Sequence, residues 1–100
     1  MNIEKKGKTA DILLSEDLIG ESSNEFVKKM NELVSEDIKR FNIDFTSVSH
    51  IDSYSLSNII VLCDMPDLEF TFKKISPPVA HIFDIIKLNK QVLIEKNGNF

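Results

Sequence analysis

Asp52-Ser53 is the pair with the most pointed chemical potential in this chain. Asp is a strong helix cap, because its carboxylate accepts a bond from an early free N–H and complements the helix dipole. A serine directly after it lies one residue inside the helix, reachable from solvent, where the remaining free N–H groups stabilise added negative charge. A phosphate on Ser53 is therefore compatible with the helix start. A phosphate there places a charge of about −1.5 to −2 beside Asp52, and no Lys or Arg occurs between Arg40 and Lys73 to pair with it locally. The fold should tolerate the group, whereas a partner docked on that surface should leave. Ser22 and Ser23 are alternative acceptors in principle, but a cap role explains Ser22 and nothing specific favours Ser23.

Other chemistries have less to stand on. His50 and His81 are the only histidines, far apart in sequence, and neither lies at metal-ligand spacing with Cys63. Asp44 falls on the polar side of an alternating segment and Asp52 is accounted for as a cap, so the two do not read as an acid–base pair. No GxxxxGK[ST] loop is present, and no Ser-His-Asp geometry can be inferred. The expectation is a non-enzyme with no catalytic residues, no metal and no cofactor.

Charge and hydropathy narrow the partners. A net charge of −4 and a pI near 5.1 argue against a nucleic-acid footprint, which needs clustered Lys and Arg. Lys5-Lys6-Gly7-Lys8 reads as a solvated turn. The amino terminus has no apolar signal segment, and the run from Ile59 to Cys63 is far too short to span a bilayer, so a cytoplasmic protein without membrane insertion is expected. A single cysteine cannot form an internal disulfide, and Cys63 among Ile60, Val61 and Leu62 reads as a small buried hydrophobe.

The elements that must position Ser53 follow from periodicity. Ile3 to Lys6 and Thr9 to Leu14 flank Gly7-Lys8, a hairpin signal. Ser22 and Glu25 have capping-box spacing and predict a helix start, continued by Phe26, Val27, Met30, Leu33 and Val34 on one face. Phe41, Ile43 and Phe45 alternate with polar residues as a strand. After Asp52, the residues Leu56, Ile59, Ile60 and Cys63 make a second helical face, limited by Pro66. Leu68, Phe70 and Phe72 alternate as another strand. Ser76 before Pro77 reads as a cap, with Val79, Ile82, Phe83 and Ile86 forming a third helical face. Val92 to Ile94 read as a last short strand, and Asn97 to Phe100 as a frayed end.

The order β-β-α-β-α-β-α-β predicts an α/β protein, with a mixed sheet of about five strands and three helices crossing between parallel neighbours. The 100 residues are expected to form a single domain with an ordered core over about 3–94. That core should contain Phe26, Met30, Leu33, Ile43, Phe45, Leu56, Ile59, Ile60, Phe70, Phe72, Ile82, Phe83 and Ile86. Helical spacing then leaves Tyr54, Ser57, Asn58 and Val61 on the opposite side of the second helix as the partner-binding surface, since an exposed Tyr supplies contact area at low entropy cost.

The segment from Asn42 to Leu56, a hydrophobic strand ending in Asp44, a short connection and Asp52-Ser53 at a helix start, resembles the signature of the STAS family. The element order agrees with that fold from Ile3 to about Ile94. The resemblance is to the anti-sigma-factor antagonists, in which the serine after the aspartate is phosphorylated by a partner kinase that is also the anti-sigma factor; that position is Ser53. It implies a partner-switching protein of bacterial transcription regulation, bound to its serine kinase when Ser53 is unmodified. An alternative within the resemblance is a constitutive adaptor subunit on a transporter ATPase or in a multiprotein sensory assembly. The family usually continues with Ser or Thr and then Gly, where this chain has Tyr54 and Ser55, so the kinase-facing surface differs.

Overall fold

The computed structural model describes residues 1–86 and 92–96, with Ile86 and the last strand described by backbone alone. The chain opens with β1 (Asn2–Lys6) and β2 (Thr9–Leu13), antiparallel about Gly7, whose φ of 59° is the left-handed conformation a tight hairpin requires. There follow α1 (Gly20–Ser35), β3 (Arg40–Asp44), α2 (Ser53–Cys63), β4 (Glu69–Ile75), α3 (Pro77–Ile86) and β5 (Val92–Lys96). The strands lie in chain order, β1-β2-β3-β4-β5, and every pair after the first is parallel. This is the mixed α/β architecture read from the periodicity.

Each crossover joins adjacent parallel strands and steps the same way across the sheet, so right-handed connections put all three helices on one face. Burial agrees. Ala10, Ile12, Phe41, Ile43, Phe70 and Phe72 point into the core, while the alternate residues Asp11, Asn42 and Thr71 share one row on the other face by register. On the covered side Phe45, Phe72 and Phe83 meet with ring centroids 5.2–5.9 Å apart, and Phe41 stacks on Phe70 at 4.8 Å.

Of the expected core, Phe26, Met30, Leu33, Ile43, Phe45, Ile59, Phe70, Phe72 and Phe83 are buried, and Leu56 and Ile82 pack half-buried against it. The side chain of Ile86 lies outside the described residues, as do Asn97 to Phe100. Ile60 is a correction: it is 42% exposed, and Leu62 takes the inward place. The buried residues of α2 are Ser55, Ile59, Leu62 and Cys63, so the helix is turned relative to the predicted face. Five consecutive apolar residues, Ile59 to Cys63, left the periodicity undecided, and a polar tie at Ser55 decides it.

One cap also differs. Helix α1 begins at Gly20, so Ser22 is inside the first turn; its hydroxyl sits between the carbonyl oxygens of Asp17 and Ile19 and accepts the Ile19 N–H at 3.2 Å. Ser76 precedes α3, where its carbonyl accepts the Ala80 N–H at 2.9 Å and its hydroxyl donates to the Val48 carbonyl at 3.0 Å.

Candidate functional site

The amino termini of α1 and α2 meet at Asp52. The backbone of Asp52 is extended, as an N-cap requires, and Oδ1 accepts the Ser55 N–H at 3.0 Å. The same oxygen accepts the Ser23 hydroxyl at 2.6 Å, while Oδ2 accepts the Gly20 N–H at 3.2 Å. Gly20 has φ 56°, and in that left-handed conformation its amide aims across at the carboxylate. With the Ser23 proton committed to Asp52, the Ser55 hydroxyl donates to Ser23 Oγ at 2.6 Å. Both serines are fully buried. One carboxylate thus caps its own helix and the neighbouring one. The Ser23 hydroxyl first, then the Ser55 N–H, holds the Asp52 carboxyl below the usual carboxylate range.

Ser53, the first residue of α2, is exposed. Of the predicted partner face, Tyr54 (55% exposed), Ser57 and Val61 (62%) are open to solvent, joined by Ile60 through the rotation of the helix. Asn58 departs from them: half-buried, it turns toward α1, where its Nδ2 reaches Asn31 Oδ1 at 3.5 Å. Helix α2 carries no Asp, Glu, Lys, Arg or His, so its exposed side is electrically neutral between Asp52 and Asp64.

The turn before Asp52 is held by a second carboxylate. Asp17 Oδ1 accepts the Ser49 N–H at 2.7 Å and the His50 N–H at 3.2 Å, and Oδ2 lies 3.1 Å from His50 Nδ1. The Ser49 N–H is the main cause that keeps Asp17 below its ordinary range. Leu18 pairs with Ile51 in an isolated parallel bridge, with the Asp52 N–H donating to the Leu18 carbonyl at 2.8 Å.

The residues dismissed for other chemistry are dispersed. Asp44 accepts both the N–H and the hydroxyl of Thr46 and makes no pair with Asp52. Burial pushes the Cys63 thiol up to about 12, which keeps it protonated and unreactive. Among the described residues no three His, Cys, Asp or Glu side chains are grouped to hold a metal, and no helix is long and apolar enough to cross a membrane.

Sequence reasoning placed Asp52 as the cap of α2 and Ser53 at its exposed start but missed the parts played by Asp17, Gly20, Ser23 and Ser55. Ser23 did leave a signal, since it stands at the helical spacing of Phe26, Val27 and Met30 and so occupies the apolar face of α1. A polar residue on such a face needs a buried partner.

Set against known families, the chain matches the model of the STAS domain over residues 1–98. No curated protein matches it.

Proposed function

The chain belongs to the STAS domain family, and from that premise we propose that it is a phosphorylation-controlled switch of the anti-sigma-factor-antagonist kind. STAS domains are interaction or regulatory domains, generally without enzymatic activity of their own. Unmodified, this one binds a serine kinase that doubles as an anti-sigma factor, in the cytoplasm of a bacterial cell, and so frees a sigma factor or another effector. Phosphorylation at Ser53 ends that complex, and Asp52 presents the hydroxyl.

The observation that carries the reading is the position of Ser53: exposed, first in α2, and at the head of a neutral surface bearing Tyr54, Ser57 and Val61. Docking a partner there desolvates apolar and hydroxyl groups at little cost. Docking it over a phosphate of charge about −1.5 to −2, with no basic residue in α2, requires desolvating an unpaired anion. Asn58, half-buried against α1, belongs to the edge of that surface.

The test is the affinity for the kinase, by calorimetry, of the parent, Ser53→Ala, Ser53→Asp and the phosphorylated protein. Parent and Ser53→Ala should bind alike, and the other two more weakly. Equal affinities for all four would overturn the switch.

A second reading, a constitutive adaptor on a transporter ATPase or in a sensory assembly, is favoured by the exposure of Tyr54 and Val61, which need no modification to make an interface. Intact-mass measurement of protein from its native cells separates the two, since the adaptor need carry no phosphate.

A further inference from the structure

We infer that Asp17 is a positioning residue for Ser53: its carboxylate latches the turn that carries the serine, so that the loop between β2 and α1 sets how Ser53 is presented. The consequence for regulation rests on the role proposed for Ser53, while the latch itself does not.

The two loops match residue for residue. Asp17 takes the amides of Ser49 and His50 and the His50 ring; the Leu18 N–H donates to the His50 carbonyl at 3.0 Å; the Leu18 carbonyl takes the Asp52 N–H at 2.8 Å; and Gly20 gives its N–H to Asp52 Oδ2. Ser53 is the next residue along. From Asp17 to Gly20, hydrogen bonds thus tie one loop to the other at Ser49, His50 and Asp52, ending one residue before the serine.

Global stability does not explain Asp17. Ser49 and His50 are exposed, and the His50 side chain keeps 75% of its surface, so water can replace the carboxylate on every donor it holds. What water cannot replace is direction. One carboxylate gathering three donors from two consecutive residues fixes the path of the turn, whereas separate waters leave it free to open. The Ser53 signature contains no part of this loop, and the histidine that completes the latch lies just outside the Asp-Ser pair.

Backbone amide hydrogen exchange by NMR on the intact chain tests the latch without any kinase. Asp17→Ala should accelerate exchange at Asp52 and Ser55 by about tenfold, with Phe41 and Ile43 in the sheet unchanged. His50→Ala, which removes one of the three donors, should lie between parent and Asp17→Ala, and His50→Asn, with an amide donor near the position of Nδ1, should recover part of the protection. If Asp17→Ala does not fold, Asp17→Asn is read in the same way. Unchanged exchange at Asp52 and Ser55, or equal acceleration at Phe41 and Ile43, would overturn the inference. Either result is independent of whether Ser53 is ever phosphorylated.

Discussion

Gly20 and Asp52, thirty-two residues apart, form a cap across two helices, with the amide of one donating to the carboxylate of the other at 3.2 Å. The residue that caps α2 thereby also anchors the start of α1.

Substitution of Asp52 should therefore cost more than an ordinary cap. Asp52→Ala removes an acceptor from Ser55 and from Gly20 and strands the buried Ser23 hydroxyl, and a loss of roughly 2–4 kcal/mol is expected. Asp52→Asn keeps one acceptor oxygen but turns an NH₂ toward the other set of donors, so it should recover about half of that loss. Urea unfolding measures both. An Asn variant as stable as the parent would show that only one of the two helices depends on the carboxylate.

Ser23→Ala should destabilise by about 1–2 kcal/mol, because the Ser55 hydroxyl then faces a buried methyl group. Ser55→Ala removes a hydroxyl whose partner keeps Asp52, and should cost less. The double variant should be less destabilised than the sum of the singles, and strict additivity in a thermodynamic cycle would break the proposed link.

Acid should weaken the protein through the Asp52 carboxylate. It is held below its usual range chiefly by the Ser23 hydroxyl. A depressed folded pKa contributes stability that is present above the unfolded value, about 3.9, and is lost as pH falls through the folded value. Stability in urea should be flat above about pH 5 and decline below about pH 4. The Asp52→Asn variant should start lower and decline less steeply; an unaltered slope would place the acid sensitivity elsewhere.

The rotation of α2 makes a sharp contrast between neighbours. Leu62→Ala should cost about 2–5 kcal/mol as a core truncation, whereas Ile60→Ala should stay within about 1 kcal/mol. Similar losses for both, in thermal unfolding, would restore the face that periodicity alone proposed.

Much of the fold was legible because alternation in β3 and β4 and the Gly7 hairpin are local signals, each read within a handful of residues. The Asp52 cap was legible for the same reason. The face of α2 was not, since residues Ile59 to Cys63 offer an apolar side chain in every direction and the choice falls to Ser55. Ser22 matched a capping box in spacing, yet the start of α1 is set two residues earlier by Gly20 and a carboxylate from a distant loop. Tertiary bonds of this reach, Asp17 to His50 among them, leave no trace in local spacing.

The arrangement of strands in chain order has a consequence for how the protein assembles. Every strand pairs only with its predecessor and successor in sequence, so each new strand docks on an edge already laid down. Such a chain suits emergence from the ribosome, where the β1–β2 hairpin precedes the helix–strand units that add to it in turn. On that schedule Gly20 and Ser23 precede Asp52, so two of the donors for its carboxylate exist before the residue itself appears.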